Sequence, residues 1–147
     1  MGDHLGLDVD RLEVELDGDH PFAPLPKAQA FPLLEWAMNW CVTTNAHQFL
    51  MCHSAVLARQ NMAVVLPAPP GSGKSTLCAA LMLSGWRLLS DELALLSPET
   101  ARLTPFVRPV SLKGASIPLI SGYFPAATFT DPVADTIKGT VAHLKPT

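Results

Sequence analysis

Residues 64–76 read Val64-Val65-Leu66-Pro67-Ala68-Pro69-Pro70-Gly71-Ser72-Gly73-Lys74-Ser75-Thr76. An apolar run, a glycine-rich turn and a Gly-Lys-Ser sequence match the phosphate-binding loop pattern GxxxxGK[ST], except that Ala68 replaces the first glycine. Gly71 and Gly73 have no Cβ, so their backbone N–H groups can turn toward phosphate oxygens. A helix that starts at Lys74 adds the positive end of its dipole. The stretch therefore predicts a buried strand, a phosphate-binding turn and a helix.

The pattern also predicts which residues hold a nucleotide and its metal. Lys74 is expected to reach the β and γ phosphates of ATP, and the Ser75 hydroxyl to ligate Mg²⁺. Because Pro70 has no N–H, its position cannot donate to a phosphate. The predicted nucleotide-binding residues are Pro70, Gly71, Ser72, Gly73, Lys74, Ser75 and Thr76. Ala68 and Pro70 are expected to weaken nucleotide affinity without destroying the site.

A second polar group follows the predicted helix, where the apolar pair Leu88-Leu89 leads into Ser90-Asp91-Glu92. Phosphoryl transfer needs a carboxylate in this part of a site. Asp91 is placed to accept a proton from an attacking hydroxyl or to hold the metal, and Glu92 to act on the metal side. The alternative interpretation is a polar turn between two strands.

The hydrophobic pattern elsewhere predicts an α/β chain. A helix is expected from Pro32 to Cys41, with Trp36 and Trp40 as packing residues. The predicted strands cover positions 5–9, 12–16, 49–51, 55–58, 62–66, 86–89, 93–96 and 110–112, and the loop is followed by a helix over 74–84 with Leu77, Ala80 and Leu81 inward. The expected organisation is an acidic leader, residues 1–30, and a kinase-like domain, residues 31–147.

The composition of the chain excludes several classes of protein. With 48% hydrophobic and 16% charged residues, the 147-residue chain is neither a disordered tail nor a coiled coil. No apolar run is long enough to cross a membrane, no signal peptide is visible, and three cysteines without CxxC spacing suggest a cytoplasmic protein with reduced thiols. Residues 1–19 carry a net charge of −6 and the remainder +3. The net positive charge of residues 20–147 suits a small polyanionic ligand and is too weak to indicate a nucleic-acid partner.

Several blocks together resemble the catalytic domain of HPr kinase/phosphorylase, and more closely the bacterial HprK-related kinase A family. The blocks are Pro32 to Trp36, His53 to Val56, the phosphate loop, Gly85 to Glu92, Arg108 to Lys113 and Asp135 to Leu144. They cover about residues 31–147 in one order and with compatible spacings.

The resemblance implies a P-loop core of the HPr kinase and phosphoenolpyruvate carboxykinase type, β-rich, and an ATP-dependent kinase acting on protein serine. It implies that His53 lies beside the catalytic carboxylate, and that Asp91 acts on the target hydroxyl. It also implies that Lys74 is a catalytic residue, whose positive charge acts on the nucleotide phosphates. The partner implied is a small phosphoacceptor protein, HPr-like or PqqD-associated. In the phosphate loops of this family, glycine usually stands at the position of Ala68 and serine at the position of Pro70.

Family members extend beyond Thr147, so a chain truncated at its C-terminus is expected, and a homo-oligomer stays open. Lys113 and Lys138 are candidates for neutralising phosphate charge, or equally surface lysines. Two further functions also stay open, a regulatory module that binds a nucleotide without transferring phosphate, and a small-molecule kinase or nucleotide hydrolase on the same core.

Overall fold

The computed structural model describes residues 10–136 and 139–146, which form a mixed α/β protein with more sheet than helix. The chain divides into two compact units, Met1–Ala46 and His47–Thr147. The division falls later than the predicted boundary at residue 30, because the first long helix groups with the leader. No helix among the described residues has the length and apolar character needed to cross a membrane.

The first unit contains two short strands and a helix. β1 (Arg11–Leu12) pairs antiparallel with β2 (Leu25–Pro26), and a 3₁₀ turn (Lys27–Gln29) leads into α1 (Ala30–Asn45). The predicted helix is confirmed, with Leu33 and Ala37 buried. Trp36 packs against Phe22 at a ring-centroid distance of 6.4 Å, in line with a packing role.

The predicted strand over 12–16 is wrong beyond its first residue. Leu16 forms only an isolated bridge with Asp19, because Asp17 and Gly18 adopt positive φ angles of 52° and 87° and turn the chain back. The strand predicted over 5–9 lies outside the described residues.

The second unit is built around one long strand. Its elements, in chain order, are β3 (Leu50–Arg59), β4 (Met62–Pro67), α2 (Lys74–Leu83), β5 (Arg87–Ser90), β6 (Leu93–Leu96), β7 (Leu103–Thr104), β8 (Val110–Lys113), α3 (Ser116–Tyr123), β9 (Val133–Thr136) and β10 (Gly139–Leu144). β3 pairs with β4 on one edge and with β5 and β6 on the other, and β7 extends β6. β8, β10 and β9 form a second sheet in that order, and every described strand pair is antiparallel.

Residues 54–58 of β3 are all buried, and their apolar side chains alternate between two core clusters with the two-residue period of a strand. Ala55 and Leu57 join the larger core cluster, whereas Val56 and Ala58 join a smaller one. The larger cluster also holds Cys78, Ala79 and Met82 of α2 together with Val110 and Leu112 of β8 and Leu144 of β10. α2 therefore packs on both β3 and β8, and this packing sets the position of the loop at its N-terminus.

Two predictions about these elements need correction. Positions 50–51 and 55–58 belong to the single strand β3, because β6 and β4 give it partners along its whole length, and the predicted first position, 49, lies outside the strand. Of the three predicted apolar positions of α2, Ala80 and Leu81 pack against the larger core cluster, whereas Leu77 is 50% exposed, and the buried residues of the helix are Cys78, Ala79 and Met82. α2 ends at Leu83, one residue before the predicted end, and Gly85 is the stop residue as predicted, since its φ of 91° lets the N–H groups of Gly85 and Trp86 bond to Met82 and Leu81 oxygens.

The strand before the phosphate loop is not buried as predicted. Among the described strands, β4 pairs with β3 alone and forms an edge of the sheet, so Met62 is 67% exposed and Val64 and Val65 are 37% and 39% exposed. The central position belongs to β3, which has partners on both edges.

Candidate functional site

The loop between β4 and α2 has the backbone that the sequence pattern requires. Gly71 and Gly73 have φ angles of +82° and +86°, and a Cβ added at either would meet nothing within 4 Å. Glycine is therefore required by the left-handed backbone and not by crowding. Ala68 is absent from the positive-φ positions, which explains how alanine fits where the pattern has glycine. Ser72 closes the loop by donating its hydroxyl to the Pro69 carbonyl over 2.7 Å.

The first turn of α2 leaves backbone donors for a ligand. Gly73 is the N-cap and no side chain caps the helix. The Leu77 N–H bonds to the Gly73 carbonyl over 3.0 Å, so the N–H groups of residues 74–76 precede the first intrahelical bond. An anion at this end of the helix would be favoured by these donors and by the helix dipole.

These donors border a cavity of about 500 Å³. Its lining residues are His53, Pro69, Pro70, Gly71, Gly73, Lys74, Ser75, Thr76, Glu92, Ser111, Leu112, Lys113 and Ser116. The structure thus brings together eight of the ten predicted site residues. The two that do not line the cavity are Ser72 and Asp91.

The centre of the cavity contains a contact among three predicted residues. Lys74 Nζ lies 2.9 Å from His53 Nε2. His53 Nε2 also lies 3.6 Å from Glu92 Oε2. A lysine ammonium has donors and no acceptor, so His53 Nε2 accepts the hydrogen bond and its ring proton resides on Nδ1. His53 and Glu92 remain partly accessible, with side chains 45% and 24% exposed.

The strand ends explain why His53 and Glu92 meet. His53 pairs with Leu93 in the β3–β6 ladder, and the Ser54 N–H donates to the Glu92 carbonyl over 3.0 Å. The Ser90 hydroxyl accepts the Leu93 N–H over 3.0 Å and tightens the turn between β5 and β6. The carboxylate of Glu92 is therefore held on a short, bonded turn.

Asp91 lies in a different environment from Glu92. It is 2% exposed, and its Oδ2 accepts the Ser111 N–H of β8 over 3.2 Å. Burial, with a further contribution from the charge of Asp91, raises the pKa of the Cys78 thiol to about 12, while Lys74 acts in the opposite direction. Asp91 therefore links the end of β5 to β8 within the interior, and the carboxylate that borders the cavity is that of Glu92.

Sequence reasoning missed part of the cavity wall. Ser111 and Ser116 line it, and the Ser116 hydroxyl lies 2.8 Å from that of Thr76. No spacing signal marks either serine, because both reach the cavity through the packing of β8 and α3 on α2. Lys113, a candidate from the sequence, lines the cavity, and Lys138 lies outside the described residues.

The cavity is suited to a polyphosphate with a divalent cation. Lys74 supplies a cation, Ser75 a hydroxyl and Glu92 a carboxylate, and Mg²⁺ prefers such oxygen ligands. Within the part of the chain that the structure describes, no group of three or more His, Cys, Asp or Glu side chains could hold a metal ion by itself. Comparisons with family models, curated proteins and solved structures found no match to this chain.

Proposed function

We propose that the chain is a kinase of the HPr kinase type, which binds MgATP in this cavity and transfers its γ-phosphoryl group to a serine hydroxyl of a small partner protein. The observation that carries the proposal is the position of Lys74. Its ammonium lies in the cavity beside His53, at the end of a loop whose two glycines have positive φ. A cation beside uncapped backbone donors is the arrangement that binds the phosphates of a nucleotide.

Each group of cavity residues has a separate role in this proposal. The N–H groups of the loop and of the first turn of α2 orient the phosphates, and Lys74 offsets their negative charge. Ser75 and Glu92 would hold Mg²⁺, which on binding neutralises charge that develops on the phosphates. His53, through the contact of its Nε2 with Lys74 Nζ, would keep the Lys74 side chain inside the cavity before the nucleotide binds.

A carboxylate is needed to accept the proton of the attacking hydroxyl. The family resemblance assigns this role to Asp91, whereas Glu92 already borders the cavity. Transfer to Asp91 would require its buried carboxylate, now bonded to the Ser111 N–H, to become accessible. The bond that forms joins the serine oxygen to the γ phosphorus, and the bond to the β-phosphate oxygen breaks to release ADP.

The partner and the compartment also belong to the proposal. An HPr-like or PqqD-associated protein is the acceptor that the resemblance suggests. All three cysteines, Cys41, Cys52 and Cys78, are free thiols, which supports a reducing compartment and hence the cytoplasm.

Calorimetry tests the binding step. The intact chain is expected to bind MgATP, and Lys74→Ala to weaken that binding by at least tenfold, because a charge-assisted contact is lost. Lys145→Ala is the control, because it removes one exposed lysine outside the cavity lining. Equal binding by wild type and Lys74→Ala would contradict the proposed site.

Transfer needs a separate measurement. The chain is incubated with ATP labelled in the γ-phosphate and with purified HPr-like or PqqD-like proteins, and phosphoserine is detected on the acceptor. Labelled phosphoserine that disappears with Lys74→Ala supports the kinase.

A nucleotide-binding module without transfer activity is the second candidate. It is favoured by the burial of Asp91 and by Pro70, which supplies no N–H to a phosphate. Such a module binds MgATP, returns it unchanged and leaves no phosphate on protein.

A further inference from the structure

Strand β4 has one open edge among the strands that the structure describes. It pairs with β3 alone, and the register of that pair runs from Arg59–Met62 to Ser54–Pro67 without a bulge. Five of the six residues of β4 are exposed, and Leu66 is half-buried. The strand therefore presents apolar side chains on both of its faces beside a backbone edge that can still pair.

The phase of the β3–β4 ladder shows which backbone groups lie on the open edge. Ser54 of β3 pairs with Pro67, and its N–H donates to the Glu92 carbonyl on the side of β3 away from β4. Hydrogen-bonded and non-hydrogen-bonded pairs alternate along an antiparallel ladder, so Pro67, Val65 and Ala63 direct their backbone groups away from β3. Because proline has no N–H, the outward donors are the N–H groups of Ala63 and Val65, whose carbonyls are outward acceptors.

The open edge lacks the features that keep edge strands from pairing. Natural edges are blunted by charged side chains, by bulges or by short length. No Lys, Arg, Asp, Glu or His occurs from Gln60 to Gly73. Arg59, the nearest charge before this segment, has its guanidinium over the Trp86 ring, 5.9 Å from the centroid. A charged strand has no counter-charge to meet on this edge, whereas a second, identical β4 meets it without like-charge repulsion.

We propose that β4 pairs antiparallel with β4 of a second copy of this chain, across a two-fold axis at Val64. In this register Ala63 lies opposite the partner's Val65, so both outward N–H groups and both outward carbonyls of each copy are bonded. Val64 lies opposite the partner's Val64, and Met62 opposite the partner's Leu66. The exposed apolar side chains then cover one another, and two sheets become one. The pairing uses none of the residues that line the cavity.

Sedimentation equilibrium over a range of protein concentrations tests the dimer. The intact chain is expected to give the mass of two copies. Val64→Lys places two ammonium groups opposite each other at the axis and is expected to weaken the dimer by more than about tenfold, and Val64→Glu is expected to do the same. An equimolar mixture of the two variants is expected to restore the dimer, because opposite charges then meet. Restoration also shows that both variants fold. Leu119→Lys, at a residue of α3 that is 48% exposed, is the matched control and is expected to dimerise as wild type does.

Disulfide formation tests the register. With Cys41 and Cys52 replaced by serine, Val64→Cys is expected to crosslink two copies on oxidation, since a non-hydrogen-bonded pair has its Cα atoms about 4.5 Å apart. Val65→Cys is not expected to crosslink, because its counterpart lies diagonally, about 7–8 Å away. Crosslinking of Val65→Cys and not of Val64→Cys would overturn the proposed axis.

Three results would overturn the pairing itself. The first is a monomeric wild-type chain, which would leave the edge to another protein or to solvent. The second is a dimer that Val64→Lys does not weaken, which would form through another surface. The third is a mixture of Val64→Lys and Val64→Glu that stays monomeric. None of these results bears on nucleotide binding, which Lys74→Ala tests separately.

Discussion

The ammonium of Lys74 donates a hydrogen bond to Nε2 of His53 over 2.9 Å. The contact joins the first residue of α2 to a residue of β3 that lies 21 positions earlier in the chain. It has two consequences. The side chain of Lys74 is held in the cavity without a ligand, and one tautomer of His53 is selected. A bound phosphate oxygen can accept another of the three N–H bonds of the same ammonium, and it is a stronger acceptor than the imidazole because it is charged.

The first prediction concerns the tautomer of His53. In the ligand-free chain, ¹⁵N chemical shifts of the imidazole are expected to show a protonated Nδ1 and an unprotonated Nε2. Lys74→Met removes the donor, and the Nε2–H form is then expected to increase. Saturating MgATP is expected to act in the same direction by drawing Lys74 to phosphate. A His53 ring with the same tautomer in wild type and Lys74→Met would show that the contact does not persist in solution.

The second prediction concerns the loop glycines. Gly73→Ala places a Cβ on a residue with φ of +86°, which costs about 1–2 kcal/mol of stability in the left-handed region although the space is open. The control is Gly122→Ala inside α3, where the added methyl also meets nothing within 4 Å. That substitution is expected to be neutral or to stabilise by up to about 1 kcal/mol, because alanine favours a helix. Urea unfolding of both variants distinguishes backbone strain from lost space, and equal effects at the two sites would contradict the strain.

The residues around the loop show what sequence reasoning can reach. The positive φ angles of Gly71 and Gly73 and the end of α2 at Gly85 follow from local rules, so the pattern predicts them. The exposure of β4 does not follow from such rules. An apolar run such as Met62–Pro67 fits a central strand and an edge strand equally well, and the long-range pairing of β3 decides between them.

In the candidate site too, some residues follow from local motifs and others are placed by tertiary packing alone. Lys74, Ser75 and Glu92 line the cavity, as their motifs suggest. Asp91 and Glu92 are neighbours in sequence and both carry a carboxylate, and only the packing of β8 against the β5–β6 turn buries one and leaves the other partly exposed. Ser116 reaches the cavity because α3 packs on α2, a tertiary contact that leaves no local signal.

The third prediction separates the two carboxylates by stability. Asp91→Ala removes a buried carboxylate and leaves the partly buried Ser111 N–H without that acceptor, which is expected to cost about 1–3 kcal/mol. Glu92→Ala removes a partly exposed side chain, and a change within about 0.5 kcal/mol is expected. Denaturant unfolding at neutral pH measures both. A larger loss for Glu92→Ala than for Asp91→Ala would contradict the assignment of Asp91 as the interior carboxylate.

The fourth prediction concerns the metal. If Glu92 helps to hold Mg²⁺, Glu92→Gln is expected to reduce the gain in ATP affinity that Mg²⁺ gives, while ATP binding without Mg²⁺ changes little. The measurement is a set of ATP titrations with Mg²⁺ and with a chelator. Asp131→Asn, an exposed acid outside the cavity lining, is the matched control and is expected to behave as wild type. An unaltered Mg²⁺ effect in Glu92→Gln would exclude Glu92 as a ligand.

The fifth prediction concerns Cys78 and alkaline pH. Burial, the largest cause, and the negative charge of Asp91 raise the pKa of the Cys78 thiol from 9.0 to about 12. Between these values the unfolded chain releases the thiol proton while the folded chain keeps it. The folded state then binds more protons, so stability falls as pH rises through this range, by up to about 1.4 kcal/mol per pH unit. Below pH 9 the full contribution is present.

Cys78→Ala is expected to remove this part of the alkaline slope, even if the variant is less stable at neutral pH because of the lost volume. Cys52→Ala, at an exposed cysteine, is the matched control and is expected to keep the wild-type slope. Urea unfolding free energies measured from pH 8 to pH 11 give the three slopes. Parallel curves for wild type and Cys78→Ala would show that the thiol is not held protonated in the fold, and the packing of α2 against Asp91 would then be looser than the structure has it.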